Sequence, residues 1–155
     1  MEFSPLFYKR VSNILERRKE LLLKLSEKEL ILPTTEEVVE INRVIMQEHK
    51  GVFGVRDRNL VESAIASVIN KKEYEGENDL FSLGFNLFSK LIQNHPFVDG
   101  NKRTAVVVFE YFMEINGQEL LLSNDQLYTL AVSVAKGENL HPLRSFYSQQ
   151  FKSSP

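Results

Sequence analysis

The sequence predicts an all-α protein. Three observations carry this expectation: apolar residues recur at helical spacing in successive stretches, residues suited to helix N-caps stand before most of those stretches, and only residues 50–57 have the composition of extended chain.

Between Pro5 and Glu29, the residues Phe7, Val11, Ile14, Leu15, Leu21, Leu22 and Leu25 lie close to a helical stripe, with Arg17, Arg18, Lys19 and Glu20 between them. This predicts one long amphipathic helix. Pro33 disfavours helical geometry at Leu32 and begins a short connection. Thr34 followed by Glu37 is a capping-box signature, and Val38, Ile41, Val44 and Ile45 then share one face of a second helix up to His49. In Lys50–Asp57, Gly51 and Gly54 bracket Val52 and Phe53, and Val55 adds a β-branched residue, so a short extended flap is expected. Asp57 or Asn59 can cap a third helix built on Leu60, Val61, Ala64, Ile65, Val68 and Ile69, and Lys71–Glu77 reads as a polar loop. Asn78 or Asp79 opens a fourth, carrying Leu80, Phe81, Gly84, Leu87, Phe88, Leu91 and Ile92, which His95-Pro96 ends. The stretch from Asn101 to Asn116 is apolar on nearly every side and so belongs at the centre of a bundle, with Gly117 as its stop. Asn124 or Asp125 caps a helix to Lys136, and His141-Pro142 introduces a last short one to about Phe151.

The composition narrows the chemistry. The chain has 155 residues, 43% hydrophobic and 26% charged, which suits one globular domain with a sizeable core. Its longest apolar run, Ala105–Phe109, is far below the roughly 18 to 20 residues of a membrane span. Met1–Lys9 contains Glu2 and lacks the basic start and apolar centre of a secretory signal, so a cytoplasmic location is expected, with no membrane partner. With no cysteine, thiolate nucleophiles, disulfides and cysteine-based zinc sites are excluded. A net charge of -2 gives no global reason to expect nucleic acid as a partner. Any handling of phosphate must therefore be local.

Residues 95–104 concentrate the reactive groups that remain. A helix that begins near Asn101 turns its unpaired N–H groups and the positive end of its dipole into the preceding loop, which makes an anion site. Gly100 allows close backbone approach, and Lys102 and Arg103 add a point charge and a planar fork suited to phosphate oxygens. Asp99 fits as a hard oxygen ligand for Mg²⁺ bridging those oxygens, and His95 has the basicity to take a proton from an attacking hydroxyl. Phe97 is expected to plug into the core. Taken singly, these groups are ordinary: Asp99-Gly100 is a turn pair, Lys102-Arg103 a solvated basic patch, and His95 a helix-ending residue. Only their joint spacing makes a site. Arg56 and Asp57 are equally a cap and a substrate contact, Asn94 equally a loop brace and an exposed side chain, and His49 and His141 read as surface or loop histidines.

The run His95-Pro96-Phe97-Val98-Asp99-Gly100-Asn101-Lys102-Arg103 resembles the signature of the Fic/Doc (Fido) family, in which histidine, phenylalanine, an acidic residue, glycine, asparagine, glycine or lysine, and arginine hold fixed places. Every specified position matches. Gly51–Asp57 is similar to the flap that precedes this signature in the death-on-curing branch, and the likeness covers roughly Thr34–Tyr147. It implies a Fido-type helical bundle with a short β-hairpin flap over 34–155, and an extra N-terminal helical extension over 1–33. It also implies an enzyme that moves part of ATP, with Mg²⁺, onto a hydroxyl of a target protein. In that scheme His95 is the general base, Asp99 the Mg²⁺ ligand, and Gly100 and Asn101 part of the anion hole, while Arg103 holds the terminal phosphates. The flap residues Val52, Phe53, Gly54 and Val55 would pair with an extended segment of the target.

Lys102 bears on the reaction. Many members that transfer AMP have glycine there, whereas death-on-curing proteins have lysine and are associated with transfer of the terminal phosphate. The resemblance therefore implies a Doc-like toxin that phosphorylates Ser or Thr of a target in a toxin–antitoxin system, with AMP transfer or a non-catalytic binding module as alternatives. Many AMP-transferring members also pair a second arginine with an inhibitory glutamate. Here that arginine position is Val106, and the nearest inhibitory match, Ser12–Glu16, is followed by Arg17, so an antitoxin acting in trans is expected over self-inhibition through Glu16.

Overall fold

In a computed structural model, the structure describes residues 3–22, 29–138 and 151–153. These residues form α1 (Pro5–Leu22), α2 (Thr35–His49), α3 (Arg58–Glu75), α4 (Leu80–Asn94), α5 (Asn101–Ile115), β1 (Gln118–Leu120), α6 (Asn124–Ala135) and β2 (Phe151–Ser153). The all-α class is borne out, and no helix among the described residues is long and apolar enough to cross a membrane.

Local chemistry sets most helix starts. The Thr34 side chain accepts from the Glu37 N–H while Glu37 reaches back to the Thr34 N–H. Asp57 caps α3 and Asp79 caps α4, which decides between the alternatives the sequence left at both places. At α6 the cap is Ser123, which closes a capping box with Gln126, so neither Asn124 nor Asp125 serves. Helix α3 runs on to Glu75, through residues read as loop. Nothing in that stretch breaks a helix before Gly76 takes the left-handed conformation, and Lys71 and Glu75 face each other one turn apart. A second correction concerns strands. The flap is not the one extended place: β1 pairs antiparallel with β2, Glu119 opposite Lys152, and three residues are too short to show a period of two. Of the expected first helix, the part up to Leu22 is described, while 23–28 and the expected helix over 141–150 lie outside the described residues.

Helix α5 is the axis of the bundle, contacting α1, α2, α4, α6 and β1. Phe109 and Phe112 are fully buried, and Phe109 meets Phe85 of α4 edge-on and Phe81 and Phe88 at a tilt. Burying each such ring contributes about 1.5–3 kcal/mol. Gly84 lets α4 come this close, because a Cβ there would stand 2.8 Å from ring atoms of both Phe109 and Phe112. Gly84→Ala is therefore expected to destabilise the fold by about 1–3 kcal/mol, read as a lower urea midpoint at unchanged slope.

Helix α1 packs on α2 and α5, with Phe7 and Ile14 in the common core. Beneath it lies a cavity of about 260 Å³ whose lining includes Phe7, Val11, Leu120, Glu110, Glu114 and Glu119. Burial pushes the Glu110 carboxyl up to about 7. The folded protein thus holds a proton there that the unfolded chain has released, so stability from this group is complete below its ordinary range near 4.5 and is lost as pH rises through about 7. Glu110→Gln is expected to reduce the fall in Tm between pH 5 and pH 8, measured side by side with the parent protein.

Candidate active site

Helix α4 ends at Asn94, and His95 follows in the left-handed region (φ 53, ψ 55), since Pro96 disfavours continued helix. The chain turns away there and leaves the His95 side chain exposed. Phe97 is 1% exposed and anchors the loop in the core, as its apolar character predicted. Asn101 closes the loop: its side chain accepts from the Phe97 N–H and donates to the Phe97 carbonyl, each at 3.0 Å. That side chain is buried, so its backbone N–H is what it can offer an anion. From α2, Asn42 donates to the Asp99 carbonyl and to the Thr104 hydroxyl, both at 3.0 Å.

These bonds fix the start of α5. Side chains cap α2, α3, α4 and α6, but Gly100 at the start of α5 brings none. The first-turn amides of α5 are left without a side-chain acceptor where the helix dipole is positive. They adjoin a cavity of about 290 Å³ whose lining includes His95, Asp99, Gly100, Asn101, Lys102 and Arg103. Spacing in sequence has become proximity in space, and Tyr128 of α6 closes one side of the cavity.

Asp99 is exposed, with Oδ1 accepting from the Gly100 N–H at 2.8 Å and Oδ2 turned to the Val52 N–H at 3.4 Å. Among the described residues there is no cluster of three His, Asp or Glu that could hold a metal. A cation at Asp99 must complete its shell with phosphate oxygens and water, which is the donor set that suits Mg²⁺. The residues present fit that ion.

The flap does not close on itself as a hairpin. Its one ladder contact is the bridge between Val55 and Phe97, with the Val98 N–H donating to the Gly54 carbonyl at 2.9 Å, because the loop after α4 offers the nearer unpaired edge. Val52 and Phe53 stay exposed beside Val98, and the Arg43 guanidinium lies 4.3 Å from the centre of the Phe53 ring. Asp57 proves to be a cap and Asn94 a brace, its side chain donating to the Leu60 carbonyl at 3.0 Å. His49, at the end of α2, is half-buried. Its ring meets Phe3 edge-on, its Nε2 is buried without a hydrogen-bond partner, and burial followed by the charge of Arg103 holds its pKa below the ordinary value. Sequence reading missed Asn42, although a polar residue inside the apolar stripe of Ile41, Val44 and Ile45 was its signal.

The chain is 29% identical over 103 residues to the protein kinase doc of Escherichia phage P1, an alignment covering 66% of this chain and 81% of that protein. It is 28% identical over 94 residues to a protein adenylyltransferase of Bartonella henselae, covering 59% of this chain and only 16% of that protein. Two solved structures share the fold. The N-terminal Fic domain of a VirB-translocated Bep effector protein from Bartonella quintana superposes with a TM-score of 0.52 at 14% identity, over 96% of this chain and 83% of that one. BepC of Bartonella tribocorum, solved with bound AMPPNP, gives 0.51 at 12% identity, over 96% and 88%. With these relatives, the chain falls in the class of nucleotide-dependent protein-modifying transferases. It belongs to the Fic/DOC family, whose pattern matches residues 32–113.

Proposed function

We propose that this protein transfers the γ-phosphoryl group of ATP to a Ser or Thr hydroxyl of a target protein. The observation that carries the reading is the gathering of His95, Asp99, Lys102 and Arg103 around one cavity at the uncapped start of α5. His95 takes the hydroxyl proton, the hydroxyl oxygen bonds to the γ-phosphorus, the bond from that phosphorus to the β,γ-bridging oxygen breaks, and ADP leaves. The amides of Gly100 and Asn101 and the side chains of Lys102 and Arg103 hold the phosphates, drawing charge off the transferring group as it develops. Asp99 would hold Mg²⁺, which supplies charge neutralisation across the phosphate oxygens. Exposed Val52 and Phe53 offer an apolar edge to an extended target segment, with Gly54 and Val55 holding the flap beside the base.

Lys102 favours terminal phosphoryl transfer over AMP transfer, since a cation there occupies room that a glycine would leave for the α-phosphate. The kinase relative is also matched over most of its length, the adenylyltransferase over a small part. Glu16 lines a groove between α1 and α2 together with Glu40 and Gln47 and is not among the residues that line the cavity at the start of α5, which supports control by an antitoxin in trans.

Incubation with γ-labelled and α-labelled ATP in parallel, with Mg²⁺ and a cell lysate as acceptor, is the test. Label transferred from the γ position alone is expected, and EDTA is expected to abolish it. Transfer from the α position would establish AMP transfer instead. No transfer, together with no rise in Tm on adding Mg²⁺ and ATP, would establish a non-catalytic module; saturation at 100 times Kd would otherwise add about 2.7 kcal/mol of stability.

A further inference from the structure

Arg56 is committed to the main chain at the end of α4, and each of its bonds falls next to His95. Its Nη2 donates to the Asn94 carbonyl at 3.1 Å, its Nε to the His95 carbonyl at 2.9 Å, and its own backbone N–H to the Pro96 carbonyl at 2.7 Å. The Asn94 carbonyl belongs to the peptide plane before the His95 Cα and the His95 carbonyl to the plane after it. One planar guanidinium therefore grips both planes that flank His95, which sets its φ and ψ and so the direction of its Cα–Cβ bond.

His95 needs such a grip. It is one of two non-glycine residues with positive φ in the described chain, and Lys50 is the other. The carbonyls in the last turn of α4 have no following turn to bond them, and that turn contains no basic residue of its own. Arg56 brings both the donors and the positive charge from the flap, 39 positions away in sequence. Asn94 pins the same turn to the Leu60 carbonyl at the start of α3.

The geometry points to Arg56 as a positioning residue: it locks the backbone of His95 in the left-handed conformation that aims the imidazole at the phosphate cavity, and it makes base and flap one unit. This inference rests on the reading of His95 as the general base. Arg56 touches no reacting atom. Its removal lowers the rate by letting the base swing, while the nucleotide site at α5 stays as it was.

The experiment uses the full chain with Arg56→Ala, Arg56→Lys and Arg56→Gln. Imidazole signals of His95 in ¹⁵N-histidine NMR, assigned by their loss in His95→Ala, are expected to shift and broaden in Arg56→Ala. In the transfer assay, kcat is expected to fall by about tenfold to a hundredfold, with KM for ATP changed by less than about twofold. Arg56→Lys, a single point donor, restores part of the loss. Unchanged His95 signals with unchanged kcat in Arg56→Ala would overturn the proposal, as would a fall confined to Tm. Should Arg56→Ala not fold, Arg56→Gln, neutral and too short to reach both carbonyls, is read the same way, and parent-like kcat and signals there overturn it. Full activity in His95→Ala would instead remove the base reading, and the NMR comparison would still judge the grip of Arg56 on that backbone.

Discussion

Replacing His95 with alanine is expected to lower label transfer by about 10²- to 10⁴-fold and to leave Mg²⁺-ATP binding in place. The side chain is exposed and lines the cavity, while Asn101, Lys102 and Arg103 line it from the first turn of α5. In the proposed mechanism proton removal and phosphate binding are carried by different residues, and a substitution at one should leave the other intact. The check is a pair of measurements on one preparation: transfer from γ-labelled ATP, and the rise in Tm with nucleotide. Retained transfer would remove His95 from the proposed mechanism. Loss of both together would mean that the imidazole shapes the nucleotide site and does more than accept a proton.

The second large effect is expected at Gly100. Its φ is +77°, a conformation that costs an alanine about 1–2 kcal/mol. A Cβ there would also stand 2.2 Å from the Met46 methyl carbon and 3.2 Å from its sulfur. Met46 is a flexible side chain, but it is 1% exposed and has packed core around it, so its displacement adds about 1–3 kcal/mol. Gly100→Ala is accordingly expected to lose about 2–5 kcal/mol of stability, measured by urea unfolding. Transfer should fall as well, because the shift needed to relieve the clash moves the first amides of α5 away from the phosphates. Met46→Ala placed in the same chain makes room for the added methyl group. If the double variant regains no activity, the strain at φ outweighs the clash. Parent-like stability in Gly100→Ala alone would show that the loop can relax freely.

The candidate site was legible in sequence to an unusual depth because its parts are contiguous. From His95 to Arg103 the chain makes one tight loop and one helical turn, so residues adjacent in sequence have little choice but to surround the same point. The capping box at Thr34 was equally readable, and Asp57 and Asp79 were each one of two caps the sequence offered, since each is a contact between neighbours. Errors fell where local signals were short or ambiguous: the three-residue β1, the polar last turns of α3, and Ser123, overlooked beside two other good capping residues.

Asn42 and Arg56 show the other limit. Both serve the loop between α4 and α5 from upstream, Asn42 by 57 positions and Arg56 by 39, and nothing in their neighbours along the chain says so. Each became meaningful only when a buried amide was found bonded to the Asp99 carbonyl and a guanidinium to the carbonyl of His95.

By itself the sequence determined the helical class, the place of the candidate site and the set of groups at it, because periodicity, caps and a nine-residue segment act over distances the local chain controls. Only the tertiary structure decided that the flap pairs with the loop after α4, that Glu16 lines a groove with Glu40 and Gln47, that the His49 ring meets Phe3 edge-on, and that Arg56 bonds the backbone carbonyl of His95. Those outcomes depend on which unpaired donors and acceptors of distant segments meet once the apolar faces have packed, and a backbone carbonyl presents the same face to every sequence.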